Sequence, residues 1–186
     1  MGEFRYPTFK SYEEFKNLLD FKTDGNIIKM IHFNSSKTDF HERLIPFLKF
    51  VKPDALQLNL NFISKKSINE LRKECPDIDL LFVYNKSIEN KYTKEEIQEI
   101  LKDFKYMLFD FSGGNGLKIS PEVVKKADYF QGILKGYAGG LSGDNVQEFI
   151  KMNKGEYFID AENRLLKNES LNYDECKKYI ESASNI

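Results

Sequence analysis

Asp110 closes the apolar run Met107-Leu108-Phe109, and Ser112-Gly113-Gly114-Asn115-Gly116 follows. A carboxylate at the end of a buried strand suits general acid/base work, and the adjoining glycines Gly113 and Gly114 let backbone approach a ligand. Asp160 and Glu162 close the last apolar run and add two more titratable groups. Proton transfer in both directions needs carboxyl groups held in different environments, which three such residues can supply.

A second glycine segment reads Ala138-Gly139-Gly140-Leu141-Ser142-Gly143-Asp144-Asn145. It lies between a strand pattern and a helix pattern, where backbone N–H groups can cradle a phosphate. The same residues also describe an ordinary tight turn with Asp144 capping the helix. Neither glycine segment has the spacing of a dinucleotide fingerprint or a P-loop.

Four more polar residues fall near the ends of apolar runs: His32, Gln57, Asn59 and Asn85. Taken singly, each reads equally well as a strand-end cap, and His32 as a satisfied core histidine. Taken together with Asp110 and Asp160 they outline a ligand site, because parallel strands of α/β proteins bind ligands at their carboxyl ends.

The elements that would position these groups come from periodicity. Six strand-length runs, at 27–33, 55–60, 79–84, 106–111, 132–137 and 156–160, are apolar on both parities. That is the pattern of a parallel strand covered on both faces. Amphipathic segments lie between them, such as Phe40, Leu44, Leu48 and Val51, or Ile97, Ile100, Leu101 and Phe104. Segments 11–19 and 173–182 read as terminal helices. Strand starts recur about every 25 residues, as in a chain of βα units. Six units fit an open doubly wound sheet as well as part of an eight-stranded barrel. At 186 residues, with no linker or low-complexity stretch, the chain reads as one domain.

Composition narrows the function classes. Twenty-eight basic and 29 acidic residues leave a net charge of -1, without the clustered positive charge of a nucleic-acid binder. The Lys65-Lys66 and Lys125-Lys126 pairs read as solvated faces. Cys75 and Cys176 fall in helical patterns and are too few for a disulfide framework, so they read as free thiols of a reducing compartment. The N-terminal ten residues lack a signal-peptide core, and no apolar run reaches membrane-span length. The expectation is a soluble, cytoplasmic protein with no nucleic-acid or membrane partner. No His/Cys/carboxylate group has metal spacing, and no nucleophile elbow occurs, so no metal and no cofactor is expected.

Several segments, in order, resemble phosphoribosylanthranilate isomerases. Pro53-Asp54-Ala55-Leu56-Gln57-Leu58-Asn59 is similar to the family's fourth strand, which usually ends Gln-Leu-His. Met107-Leu108-Phe109-Asp110 with Gly113-Gly114-Asn115-Gly116-Leu117-Lys118 resembles the sixth strand and its loop. Tyr137-Ala138-Gly139-Gly140-Leu141 with Asp144-Asn145-Val146 resembles the seventh strand, phosphate loop and following helix. Arg5-Tyr6-Pro7 resembles the segment after the second strand. The resemblance implies a TIM (β/α)8-barrel fold of which six βα units, three to eight, are visible and the first two strands are lacking.

It also implies an Amadori rearrangement of a phosphoribosylamine. Asp110 then corresponds to the general acid, Arg5 to a substrate-contacting arginine, and Gly139 and Gly140 to half of the phosphate grip. Three departures accompany it. The family's base, a cysteine ending strand one, has no counterpart. The eighth-strand phosphate turn reads Asp160-Ala161-Glu162-Asn163-Arg164 here, where Arg164 can supply charge instead. Asn59 stands where the histidine usually is. These departures point to a separate branch of isomerase-like barrels.

Two functions follow. One is an isomerase or lyase on a phosphorylated sugar derivative, with Asp110 as acid and Asp160 or Glu162 as base. The other is a non-catalytic sugar-phosphate-binding barrel, a pseudoenzyme without the catalytic cysteine. A homodimer whose chains complete each other is a further arrangement compatible with six strands.

Overall fold

Runs rich in Leu, Ile, Val and aromatic residues become strands because both faces find cover. The computed structural model describes residues 11–20, 28–37, 39–112, 119–167 and 170–184. Its main strands are β1 (Met30–Ser35), β2 (Ala55–Leu60), β3 (Asp79–Tyr84), β4 (Tyr106–Asp110), β5 (Leu134–Ala138) and β6 (Tyr157–Asp160). They form one six-stranded sheet in chain order, with parallel ladders between β1 and β2, β2 and β3, and β5 and β6. Strand order that follows chain order, with helix after strand, is that of a TIM-type α/β fold. The six βα units expected from spacing are all present. Among the described residues, β1 and β6 each have a single sheet neighbour.

β4 and β6 each fall one residue short of the sequence reading, and two strands shift further. The first strand, expected over 27–33, pairs residue by residue from Met30↔Ala55 to Ser35↔Leu60; residue 27 lies outside the described residues. The fifth, expected over 132–137, begins at Leu134 because Gly132 has φ +74°, a conformation no strand holds. It extends to Ala138, which pairs with Asp160.

The chain divides into two compact units, residues 1–83 with 87–106 and residues 84–86 with 107–186. In the first, helix α1 (Tyr12–Leu19) starts where the Ser11 hydroxyl accepts the Glu14 N–H at 3.2 Å. Helix α2 (Phe40–Val51) buries Phe40, Leu44, Leu48 and Val51, the stripe read from the sequence. Helix α3 (Lys65–Glu74) buries Ser67, Ile68 and Leu71. Two short helices follow, α4 (Lys86–Lys91) and α5 (Lys94–Ile100), the latter opened by a Thr93–Glu96 capping box. The stripe expected to run helically to Phe104 breaks into a 3-10 turn at Leu101–Asp103. Phe33 packs on Phe40 at 5.9 Å and Phe82 on Phe104 at 5.4 Å.

Arg72 ties this unit's connections together. Its Nη1 donates to the Ile78 carbonyl at 3.0 Å, and Nε donates to the Asp103 carbonyl at 2.8 Å, with Nη2 on the same oxygen. The guanidinium thus satisfies backbone acceptors on either side of β3 in sequence.

In the second unit the core is aromatic. Tyr84, Phe109 and Phe130 meet pairwise at 5.3, 5.4 and 6.1 Å. Phe109 stacks on Tyr137 at 5.7 Å, and Tyr137 reaches Phe149 at 5.3 Å and Tyr157 at 6.0 Å. The helices are α6 (Pro121–Ala127), α7 (Val146–Met152) and α8 (Tyr173–Ser184); α8 has no fully buried residue. A 3-10 turn at Asn163–Leu165 and a small hairpin, β7 (Leu166–Lys167) with β8 (Ser170–Leu171), separate β6 from α8. Neither was anticipated. Among the described residues, no helix is long and apolar enough to cross a membrane.

Replacing Arg72 by leucine keeps the aliphatic stem but strands two carbonyls. It should cost about 2–3 kcal/mol of folding stability. Urea unfolding would show a lower midpoint at unchanged slope, whereas the neighbouring exposed Lys73→Ala should leave the midpoint in place.

Candidate functional site

Which residues share a face follows from the ring contacts. Phe109 stacks on Tyr137, so both project from one face of the sheet. Neighbouring residues on a strand point to opposite sides, which places Asp110 and Ala138 together on the other. Ala138 pairs with Asp160, so Asp160 joins them. The carboxyl ends of β4 and β6 thus present Asp110 and Asp160 to the same side, opposite the aromatic core.

Small residues line that side at β5, and at Gly136 an aromatic ring takes the space. Gly136 shares the face with Ala138, and the Phe158 ring lies directly across it. A Cβ at position 136 would come within 2.1 Å of the ring carbons.

The two carboxylates have unlike surroundings. Asp110 is half-buried, and its Oδ1 accepts both the Ser112 N–H at 2.9 Å and the Ser112 hydroxyl at 2.6 Å. That fixes the side chain and leaves Oδ2 as the oxygen available for exchanging a proton. Asp160 keeps solvent contact by surface area, yet protein atoms crowd most of its carboxyl group. The crowding pushes its pKa up, and the charges of Glu162 and then Asp110 push the same way, against a backbone hydrogen bond from Ala161. Glu162 is exposed at the start of the 3-10 turn, and Arg164 is exposed within it. The charges of Glu162 and Asp110 thus both act on Asp160.

The glycine turn after β5 holds Gly139 at φ +133° and Gly140 at φ +60°, both in the region that favours glycine. Asn145 locks it. Its Oδ1 accepts the Ser142 N–H at 2.9 Å and its Nδ2 donates to the Gly140 carbonyl at 2.8 Å. Asn145, not Asp144, is the residue at the helix N-cap. The Asp144 carboxylate instead pairs with Lys178 of α8, whose stem lies against Gly143. Two loop amides, those of Ser142 and Asp144, are already taken up inside the turn. A phosphate gripped here would rely on the backbone of Gly139 and Gly140.

The remaining expected residues lie in the first unit. On β1, His32 and Asn34 are exposed, facing away from Phe33 and its contact with Phe40. Their register partners on β2 are Gln57 and Asn59, both half-buried. The exposure of His32 removes the reading of it as a core histidine. Arg5, Gly113 and Gly114 lie outside the described residues.

A recess of about 390 Å³ opens in this unit beside Lys49, Asp54, Glu74 and Cys75. It sits at the amino ends of β2 and β3, away from the polar strand ends, where α/β barrels do no chemistry. Among the described residues no group of three or more His, Cys, Asp or Glu could hold a metal ion.

Sequence reasoning missed Ser112 as the partner of Asp110, and missed the α8 residues Lys178 and Tyr179. Cys176, Tyr179 and Ala183 do recur at helical spacing and are half-buried. That spacing was the signal for an inward face.

The raised Asp160 pKa has a stability consequence. A carboxyl whose folded pKa lies above its unfolded value binds more protons when folded, so its contribution to stability falls as pH rises through that window. Asp160→Asn should therefore raise the melting temperature at pH 7. The gain should vanish below the ordinary carboxylate value of 3.8. Melting curves of both proteins at pH 7 and pH 3.5 provide the comparison.

A sequence model of the family described as N-(5'phosphoribosyl)anthranilate (PRA) isomerase matches residues 33–162. No curated protein matches the chain in sequence. Among solved structures, the phosphoribosyl anthranilate isomerase of Thermus thermophilus aligns with TM-score 0.70 and 11% identity over 92% of this chain and 79% of its own. That of Thermotoga maritima aligns with TM-score 0.68 and 17% identity over 95% and 82%. A third, solved with reduced 1-(o-carboxyphenylamino)-1-deoxyribulose 5-phosphate, aligns with TM-score 0.65 and 17% identity over 96% and 81%. At these identities the structures speak for the fold, and the family match over more than half of the chain speaks for descent. The chain belongs to the N-(5'phosphoribosyl)anthranilate isomerase family.

Proposed function

We propose that this protein is an isomerase acting on a phosphorylated sugar derivative, with Asp110 and Asp160 as its acid and base. The observation that carries the reading is the placement of both carboxylates on one face at the carboxyl ends of β4 and β6, coupled electrostatically. Asp110, oriented by Ser112, delivers a proton from Oδ2 in the protonation state of the pair that leaves Asp160 ionised. Asp160, whose pKa is raised, is the better base, because basicity grows as the pKa approaches the working pH. Crowding by protein atoms, and after it the charge of Glu162, keep that pKa high. Gly139 and Gly140 receive the phosphate, and Arg164 adds positive charge from the turn after β6. The sequence offers His32, Gln57, Asn59, Arg5, Gly113 and Gly114 as further candidates for substrate contact. A phosphorylated sugar is supported by family membership and by the ligand of the third structural neighbour, which carries a 5-phosphate.

A second reading, a binding protein without turnover, is favoured by the positions of the cysteines. Cys75 caps α3 and Cys176 lies on α8, so neither is placed at a strand end. Burial pushes the Cys75 thiol up, away from the reactive thiolate. No thiol among the described residues stands ready as a base.

The two readings separate in one series. Ribose 5-phosphate should raise the melting temperature where ribose does not. Turnover of N-(5'-phosphoribosyl)anthranilate is expected, and Asp110→Asn should lower kcat by about 10²–10⁴-fold while the melting shift persists. Binding without any turnover by the unaltered protein would favour the second reading. Absence of both binding and turnover would remove the first.

A further inference from the structure

The glycine turn after β5 carries a charge that works against its proposed role. Gly139 and Gly140 offer only backbone to a phosphate, and Asp144 stands a few residues further along the same turn. A phosphate monoester is largely a dianion at neutral pH, and a carboxylate close by repels it. An aspartate just ahead of a helix also readily turns its side chain back onto local amides, the groups an anion would use.

The Asp144 carboxylate does not do this. Its Oδ1 accepts from the Lys178 ammonium of α8, while the Asp144 N–H donates to the Ser142 hydroxyl at 3.3 Å. Helix α8 packs against α7, and the Lys178 stem lies along Gly143. A Cβ at position 143 would come within 3.0 Å of the Lys178 carbonyl carbon and closer still to its stem, so glycine is what permits this approach. The hydrogen bond to Asp144, and then its charge, raise the Lys178 pKa, so the ammonium keeps its proton at neutral pH. Asn145 meanwhile spends its side chain on the Ser142 N–H and the Gly140 carbonyl. One side chain thus fixes the backbone of the turn, and another takes up its charge. The ion pair is exposed, and exposed pairs add little to folding stability. Its larger effect falls on an anion at the turn, which meets a compensated carboxylate instead of a bare one.

We propose that Lys178 is a positioning residue for phosphate binding: it holds the Asp144 carboxylate on α8, compensates its charge, and leaves the Gly139 and Gly140 amides to the anion. The assignment rests on the phosphate grip of the proposed function and adds to it a residue that need not touch the ligand.

The test uses inorganic phosphate and the full chain, with the amide signals of Gly139 and Gly140 followed by NMR. Lys178→Met keeps the stem against Gly143 and removes the charge. It should weaken phosphate binding by about three- to tenfold, the effect of one uncompensated charge near a dianion. Its melting temperature should stay within about 2 °C of the unaltered protein. Adding Asp144→Asn to Lys178→Met should restore the affinity, since no carboxylate is left to compensate. Lys178→Arg should bind as the unaltered protein does. A double variant that binds as weakly as Lys178→Met would overturn the proposal, because Lys178 would then act on the phosphate itself or on the fold. Equal affinity in Lys178→Met and the unaltered protein would overturn it as well, and leave the phosphate grip standing. Glycine signals that phosphate moves in none of the proteins would remove the grip and the proposal together.

Discussion

Everything at the carboxyl ends of β4 to β6 depends on the aromatic contacts beneath them. Phe109, Tyr137 and Tyr157 must lie on one face to meet Tyr84, Phe130 and Phe149. The side-chain period of a strand is two, so the packing of Phe109 decides where Asp110 points. A slip of one residue would drive the carboxylate into the aromatic core and turn the phenylalanine to the open side. The energy of that mistake is large in both directions, because it strands a charge and exposes a ring. Core and site are thus two consequences of a single choice of register.

The same coupling explains what could be read in advance. Apolar runs at 55–60 and 79–84 coincide with their strands, because leucine- and phenylalanine-rich segments of that length have no competing period. Strand ends were harder. Gly132 looked like part of a run until its positive φ excluded it, and a left-handed glycine is invisible to composition. Asp110 and Asp160 were legible because a carboxylate that terminates an apolar strand is unusual. Ser112 was not, since a serine two residues on is common and only the fold reveals that both its donors turn back. Lys178 and Tyr179 lie on a helix 18 and 19 residues after Asp160 in sequence, and no local pattern tells which loops that helix meets. The hairpin after β6 was missed because two-residue strands are too short to carry a period.

The family match and the candidate carboxylates fall in one segment of the molecule. The family match spans 33–162, the segment in which strands, glycine turn and carboxylates follow one another. The residues after it form a 3-10 turn, a short hairpin and α8, which packs against that turn and against α7. The glycine turn links the matched segment to α8. Gly139 and Gly140 hold the expected conformations, while Asn145 and the Asp144–Lys178 pair close the loop upon itself.

Helix α8 carries no fully buried residue, and one of its anchors is the exposed ion pair between Lys178 and Asp144. Exposed pairs contribute little, and elements with few buried side chains open at a fraction of the global unfolding free energy. Amide exchange along this helix should accordingly outpace that of β4 and β5. Each such opening carries the Tyr179 hydroxyl into solvent and loosens the Gly143 turn together with it. The undocking of one marginal helix is then a breathing motion shared by the glycine turn and the 3-10 turn after β6, and salt concentration becomes a control over its frequency.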